Sequence, residues 1–302
     1  MHVDPYIVLG GAIIGLLVGV TGAGGGALMT PMLILLFNVQ PDKAIASDLV
    51  AAVLMRPLGA VIHFRQGTVN KRLVGLLSAG SVPMAFLGSY LLHLIKGHAG
   101  SAQTDIERML GSALLVGAAA MVLRFVLDQR AGNQREGVVQ DIDVHPLRTI
   151  GIGMLGGLVV GMTSVGSGSL MIVLMLFLYP MLGANQLVGT DLAQALPLTG
   201  AAALGALAFG SVSFGVTTSL IIGSVPAVLA GSMLSARAPD RVIRPVITFV
   251  ILASGLKYVG VGNTALGWSL VGVLFAGFVT WLLLSQPWSP AAADSDEAPA
   301  GS

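Results

Sequence analysis

Residues 149–190 contain no Asp, Glu, Lys or Arg, and neither do residues 192–236; Asp191 alone separates the two runs. Each run far exceeds the roughly 20 apolar residues that cross one hydrocarbon core. A buried helix of a soluble protein explains one such stretch. It does not explain several in a chain with only 10% charged residues and a mean hydropathy of +0.88, which leaves too little polar surface. The chain is therefore predicted to be an all-α polytopic membrane protein in contact with the lipid bilayer. Its formal net charge of +1 supplies no basic field for nucleic acid. The lack of cysteine removes thiolate chemistry and Cys-ligated metals, and no His-Glu-x-x-His pair or Walker sequence is present. Gly166-Ser167-Gly168 has the look of a serine nucleophile turn, but no histidine follows it, and His145 precedes the second half. Neither an enzyme, a cofactor nor a metal is expected.

The chain repeats itself. Gly80-Ser81-Val82-Pro83 returns as Gly223-Ser224-Val225-Pro226, and Gly88-Ser89 as Gly231-Ser232, at an offset of 223 − 80 = 143. At that offset Ser47-Asp48-Leu49 matches Thr190-Asp191-Leu192. Nearer the start, Gly19, Thr21, Gly24 and Gly26 match Gly161, Thr163, Gly166 and Gly168 at offset 142. Such order is the signature of a duplicated unit. Each half reads as five apolar segments, at about 6–21, 27–37, 44–63, 73–95 and 108–127, then 149–163, 169–182, 187–209, 214–236 and 242–258. This predicts a first repeat over 1–127, a solvated linker over 128–148 and a second repeat over 149–260. An extra C-terminal helix is expected within 261–286, and a disordered tail over 287–302.

The second segment of each half is short. At 1.5 Å per residue, residues 27–37 reach about 16 Å, half a hydrocarbon core. Each follows a Gly-rich turn, so the first two segments of each half read as a hairpin that either crosses or re-enters the membrane. Basic clusters at Arg65, Lys71 and Arg72 and at Arg237, Arg241 and Arg244 predict the cytoplasmic side. Five segments per half then make the repeats inverted, with the N-terminus outside and the C-terminus inside.

Two kinds of residue are candidates for function. Gly22, Gly24, Gly25 and Gly26, and likewise Ser164, Gly166, Ser167, Gly168 and Ser169, stand before short helices. Glycines admit a ligand close to backbone N–H groups, and helix N-termini favour anions; close packing of small residues is the competing reading. The second kind is charge inside apolar sequence: Asp48, Arg56 and Asp191. Arg56 calls for an anion or a carboxylate from elsewhere, such as Asp191, and its planar fork suits an oxyanion. Asp48 and Asp191, following Ser47 and Thr190, suit either helix capping or uptake of a coupling proton or cation such as sodium. Gln194 offers a donor and an acceptor, and His63 an interfacial or proton-relay group. Arg124 and Lys257 stand near segment ends, where long side chains reach the interface.

Gly22–Pro31 (GAGGGALMTP), Pro41–Leu49, the Arg56, Gly59, His63, Gly67 string, Gly189-Thr190-Asp191-Leu192 and both Gly-Ser-Val-Pro boxes resemble the sulfite exporter TauE/SafE family, also called the toluenesulfonate uptake family. The resemblance covers about residues 5–260. It implies a permease of the bacterial inner membrane that exports sulfite or an organosulfonate. Where family members often carry histidine, this chain has Gln194 and Ala206. A membrane accessory or assembly protein on the same scaffold, and a passive anion channel, remain the alternative readings at this point.

Overall fold

The computed structural model describes residues 3–21, 25–65, 67–96, 102–131, 143–210, 212–234 and 240–262, together with Ala265 and Ser269. Gly22, Gly24, much of the linker, most of the expected C-terminal helix and the tail lie outside the described residues. The chain divides into a unit over 1–261 and a second from Gly262 onward. In the second, Ser269 Oγ donates to the Ala265 carbonyl at 2.8 Å.

The described residues of the first unit are helical. In order the helices are α1 (Pro5–Thr21), α2 (Gly26–Leu35), α3 (Pro41–Arg65), α4 (Lys71–Lys96), α5 (Ala102–Ala131), α6 (Pro146–Thr163), α7 (Leu170–Leu178), α8 (Ala184–Phe209), α9 (Phe214–Leu234) and α10 (Asp240–Tyr258). Within α4, α5, α6, α8 and α9 lie stretches long and apolar enough to cross a membrane. α2 and α7 have only 10 and 9 residues, about half of the required length. Pro83 and Pro226 sit inside α4 and α9, as neighbouring helices in a membrane permit.

The two halves interlock. α1 packs on α9, and its counterpart α6 packs on α4, through glycines pressed against carbonyl oxygens. A Cβ on Gly80 would lie 2.2 Å from the Ile150 carbonyl oxygen, and one on Gly223 would lie 2.0 Å from that of Val8. Likewise Gly88 faces Leu158 and Gly231 faces Leu16, while Gly161 faces Ala85 and Gly19 faces Val228. Every one of these contacts maps onto its partner through the offsets of 142 and 143. In lipid, where apolar surface gives helices little reason to associate, such backbone proximity is what holds them together.

The register also gives direction. Gly11, Gly15 and Gly19 meet Leu220, Ser224 and Val228 in step, so α1 and α9 run parallel; Gly153, Gly157 and Gly161 meet Leu77, Ser81 and Ala85, so α6 runs parallel to α4. Ser89 reaches the Ala202 carbonyl at 3.0 Å while Gln194 reaches Ser81 at 2.7 Å, so α8 is parallel to α4 as well. α8 and α9 are joined by a short turn and run antiparallel. Hence α1 opposes α6, its own repeat mate. The repeats are inverted.

A methyl group at these contacts has nowhere to go. Gly80→Ala and Gly223→Ala should each lower the melting temperature in detergent, consistent with about 1–3 kcal/mol of overpacking. Gly75→Ala, with nothing within 4 Å, should be neutral or stabilising by about 1 kcal/mol from helix propensity.

Candidate functional site

The buried charges come from α3 and α8. Both helices begin three residues before the apolar pattern does, so Asp48 (48 − 41 + 1 = 8) and Asp191 (191 − 184 + 1 = 8) are each the eighth residue of a helix. Neither is a cap. Polar leaders, Pro41-Asp42-Lys43 and Ala184-Asn185-Gln186, extend each helix backwards beyond its hydrophobic signal.

Asp48 is fully buried, and its Oδ2 accepts hydrogen bonds from Thr30 Oγ1 at 2.7 Å and Ser164 Oγ at 2.9 Å. Thr30 belongs to α2; Ser164, at φ 60°, turns the chain from α6 toward α7. The same Ser164 presses its carbonyl on Gly26, where a Cβ would lie 1.8 Å from it. The short helix of the first half thus meets the turn of the second at Asp48. One carboxylate joins α2, α3 and the α6–α7 turn.

Arg56 lies in the second half of α3 and is 9% exposed. Asp191 and Asp48 both act on it electrostatically, yet among the described residues no carboxylate stands within 4.0 Å of its guanidinium. Among the described residues, its Nε and Nη2 have no hydrogen-bond partner. These two atoms form one edge of the guanidinium fork, the edge that holds two oxygens of one anion.

Arg56 lines a cavity of about 70 Å³ with Ser167, Gly168 and Asp191. That is room for about two waters, each taking about 30 Å³, or for one small polyatomic ion. Gly25 at the start of α2 also borders it, as do Gly19 of α1 and Ser232 of α9. Asp191 accepts the Gly168 N–H and is acted on by Arg56 and Arg124, while its Oδ1 and Ser167 Oγ have no partner among the described residues. The cavity is a meeting point of both halves, lined by a cationic fork from the first and by the Asp191 and Ser167 acceptors from the second.

The model of the family described as sulfite exporter TauE/SafE matches residues 7–258. The chain belongs to the TauE/SafE family. It is 40% identical over 253 residues to the "Probable membrane transporter protein YjnA" of Bacillus subtilis (strain 168), covering 84% of this chain and 98% of that one. It is 24% identical over 248 residues to YdhB of the same organism, also named a probable membrane transporter protein, covering 81% and 95%. A probable membrane transporter protein of Xylella fastidiosa (strain Temecula1 / ATCC 700964) is 26% identical over 247 residues, 80% and 90% of the two chains. No solved structure matches the fold. The protein is a multi-pass membrane transporter acting on a small substrate.

Several candidates of this TauE/SafE chain sit away from the cavity. The Thr190 hydroxyl accepts the Asn70 N–H at 3.1 Å, and Ser47 accepts the equivalent Ser213 N–H at 3.3 Å. Each ties a third helix to the start of the opposite half's fourth. Gln194 Nε2 donates to Ser81 at 2.7 Å, Ser169 Oγ faces Gly117 of α5, and Gly166 packs by Val159 and Val160 of α6. His63 is placed on α3 by its backbone, and its side chain is outside the described residues. Sequence reasoning passed over Thr30, which carries no charge, and Arg124, whose position near a segment end made it look interfacial.

A second cavity of about 20 Å³ lies at the other end of the bundle. Its Leu49, Ser89 and Gly161 are the repeat equivalents of Leu192, Ser232 and Gly19 around the first. Asp42 and Lys96, paired at 2.6 Å, stand on its wall. α3 and α4 carry this pair at one end and Arg65 and Lys71 at the other.

The Asp48 contact predicts its own cost of removal. Thr30→Val keeps the volume but removes one of two donors to a fully buried carboxylate. It should destabilise the detergent-solubilised protein by about 1–3 kcal/mol, read as a lower melting temperature, and Ser164→Ala should do the same.

Proposed function

We propose that this protein is a secondary transporter exporting a small sulfur-containing oxyanion, such as sulfite or an organosulfonate, across the bacterial inner membrane. The observation that carries the reading is the buried Nε–Nη2 edge of Arg56, which no acceptor among the described residues engages. A guanidinium in apolar surroundings costs a few kcal/mol on insertion scales and is retained where it does something. Asp191 and Asp48 are close enough to hold the charge in place but do not occupy the fork. The cavity size suits a small polyatomic anion, and the family's description supplies the sulfur chemistry and the direction.

The two cavities support alternating access. Inverted repeats can exchange conformations, so that an opening at one end becomes its copy at the other. Charge distribution sets the orientation of the proposal. Arg65, Lys71 and Arg72 face the cytoplasm, together with the cavity of Arg56 toward that end, and Asp42 and Lys96 face the periplasm. The N-terminus is then periplasmic and the C-terminus cytoplasmic.

Anion exchange in proteoliposomes tests the reading. Arg56→Ala should reduce sulfite or sulfonate flux about 10- to 150-fold, the equivalent of about 1.5–3 kcal/mol for hydrogen bonds to a charged group. Arg56→Lys keeps the charge without the fork and should fall between. If Arg56→Ala only unfolds the protein, and Asp191→Asn in the same chain restores folding and flux together, Arg56 is scaffold and the proposal fails.

A further inference from the structure

Asp48 and Asp191 occupy equivalent positions in the two repeats, but their surroundings have diverged. Asp48 is served by two hydroxyl donors, Thr30 and Ser164. Under the repeat offset those positions become Ile172 (30 + 142) and Gly22 (164 − 142). Asp191 therefore has neither hydroxyl, and it takes the Gly168 N–H instead. Each carboxylate keeps an Oδ1 with no partner among the described residues, but Asp48 does not line the cavity, whereas Asp191 lines it together with Arg56.

We propose that Asp191 binds the proton that travels with each anion, while Asp48 remains a structural carboxylate. The proposal rests on Arg56 holding the anion. The charged groups that reach Asp191 are Arg56 from α3 and Arg124 from α5, and the adjoining α6–α7 turn offers only Ser167 and the Gly168 amide. An anion on the Arg56 fork offsets the cation that holds Asp191 ionised. It also adds a second negative charge to a cavity that has little water to screen it. Uptake of one proton by Asp191 removes that conflict, and Oδ1 then becomes a donor facing the anion's oxygens. Departure of the anion restores Arg56 to Asp191, and the proton leaves with it. A monoanion and one proton move together, with no net charge transferred, so export runs only where the anion's outward gradient exceeds the inward proton gradient.

The test uses the full chain in proteoliposomes with ethanesulfonate, whose single charge does not change across the working pH range. Two rates are read: ethanesulfonate exchange at equal pH on both sides, and accumulation driven by a pH step at zero membrane potential. Wild type should accumulate about tenfold per pH unit, the value for one proton per monoanion. Whatever ethanesulfonate exchange Asp191→Asn retains should be uncoupled from the pH step, with none accumulated above equilibrium. Asp48→Asn, where it folds, should still respond to the pH step, and Asp191→Glu should recover the response. Because Asp191→Asn can fail to fold, a second measurement needs no variant: a pH dye inside wild-type vesicles should report one proton moved per ethanesulfonate flowing down its gradient. Flux without proton movement, or accumulation that survives in Asp191→Asn, overturns the proposal. Full exchange by Arg56→Ala instead removes the anion site of the previous section. Wild type that exchanges neither ethanesulfonate nor sulfite ends both readings.

Discussion

Backbone contact between helices of opposite repeats is the constraint on which everything else in this structure depends. Lipid is as apolar as leucine, so helices in a bilayer gain little by burying side chains against each other. Here they gain by bringing main chains together, with Gly80, Gly88, Gly223 and Gly231 replacing side chains that would collide with carbonyls. Because α1 lies on α9 and α6 on α4, neither half completes its packing alone. The fixed glycine register carries through to the turns that follow α1 and α6. The start of α2 and the turn after α6 then meet, Gly26 against the Ser164 carbonyl.

That scaffold allows charges to be stored inside it. A buried carboxylate is tolerated when donors satisfy it, and Asp48 has its donors from two separate elements. Asp48, Arg56 and Asp191 each keep at least one atom with no partner among the described residues, and apolar residues of like size would cost less; of the three, Arg56 and Asp191 line the cavity and Asp48 does not. Atoms left in this condition beside a cavity are where local stability and activity part company. The pair on the cavity, rather than the Asp48 cluster away from it, is therefore the part of the interior that points to a substrate.

Much of this was legible in the sequence, for reasons that differ by feature. Charge-free runs reveal membrane segments because lipid penalises charge at every position. The repeat is visible because the glycines that bring the backbones together tolerate no substitute, so the motif survives in both halves. Arg56 and both aspartates stood out against an apolar background. What escaped was partnership. No spacing rule says that Thr30 of one half and Ser164 of the other converge on one oxygen of Asp48, since that follows from the crossing of α2 with a turn over a hundred residues away. The ends of α3 and α8 were misplaced for a related reason: their polar first turns look like loop, so two interior aspartates looked like caps. Thr190 and Gln194 lie beside Asp191 in sequence, yet helix geometry sends their side chains to Asn70 and Ser81.

The symmetry of the fold and the asymmetry of its charges answer different requirements. Two access routes of matching construction follow from two matching halves, and the ties of Ser47 to Ser213 and Thr190 to Asn70 keep that match at the helix ends. A single substrate cannot be held by two identical sites at the same place, so the centre must break the symmetry. It does so with few changes. Thr199 stands where Arg56 has its counterpart, and its hydroxyl is spent on the Ala195 carbonyl of its own helix. Ile172 stands where Thr30 has its counterpart. With one cation on the first repeat and an acid with fewer hydroxyl donors on the second, Arg56 and Asp191 come from different halves. In the mechanism we propose, a relative movement of the halves changes the distance between them, which would link occupancy of the site to which end of the protein is open.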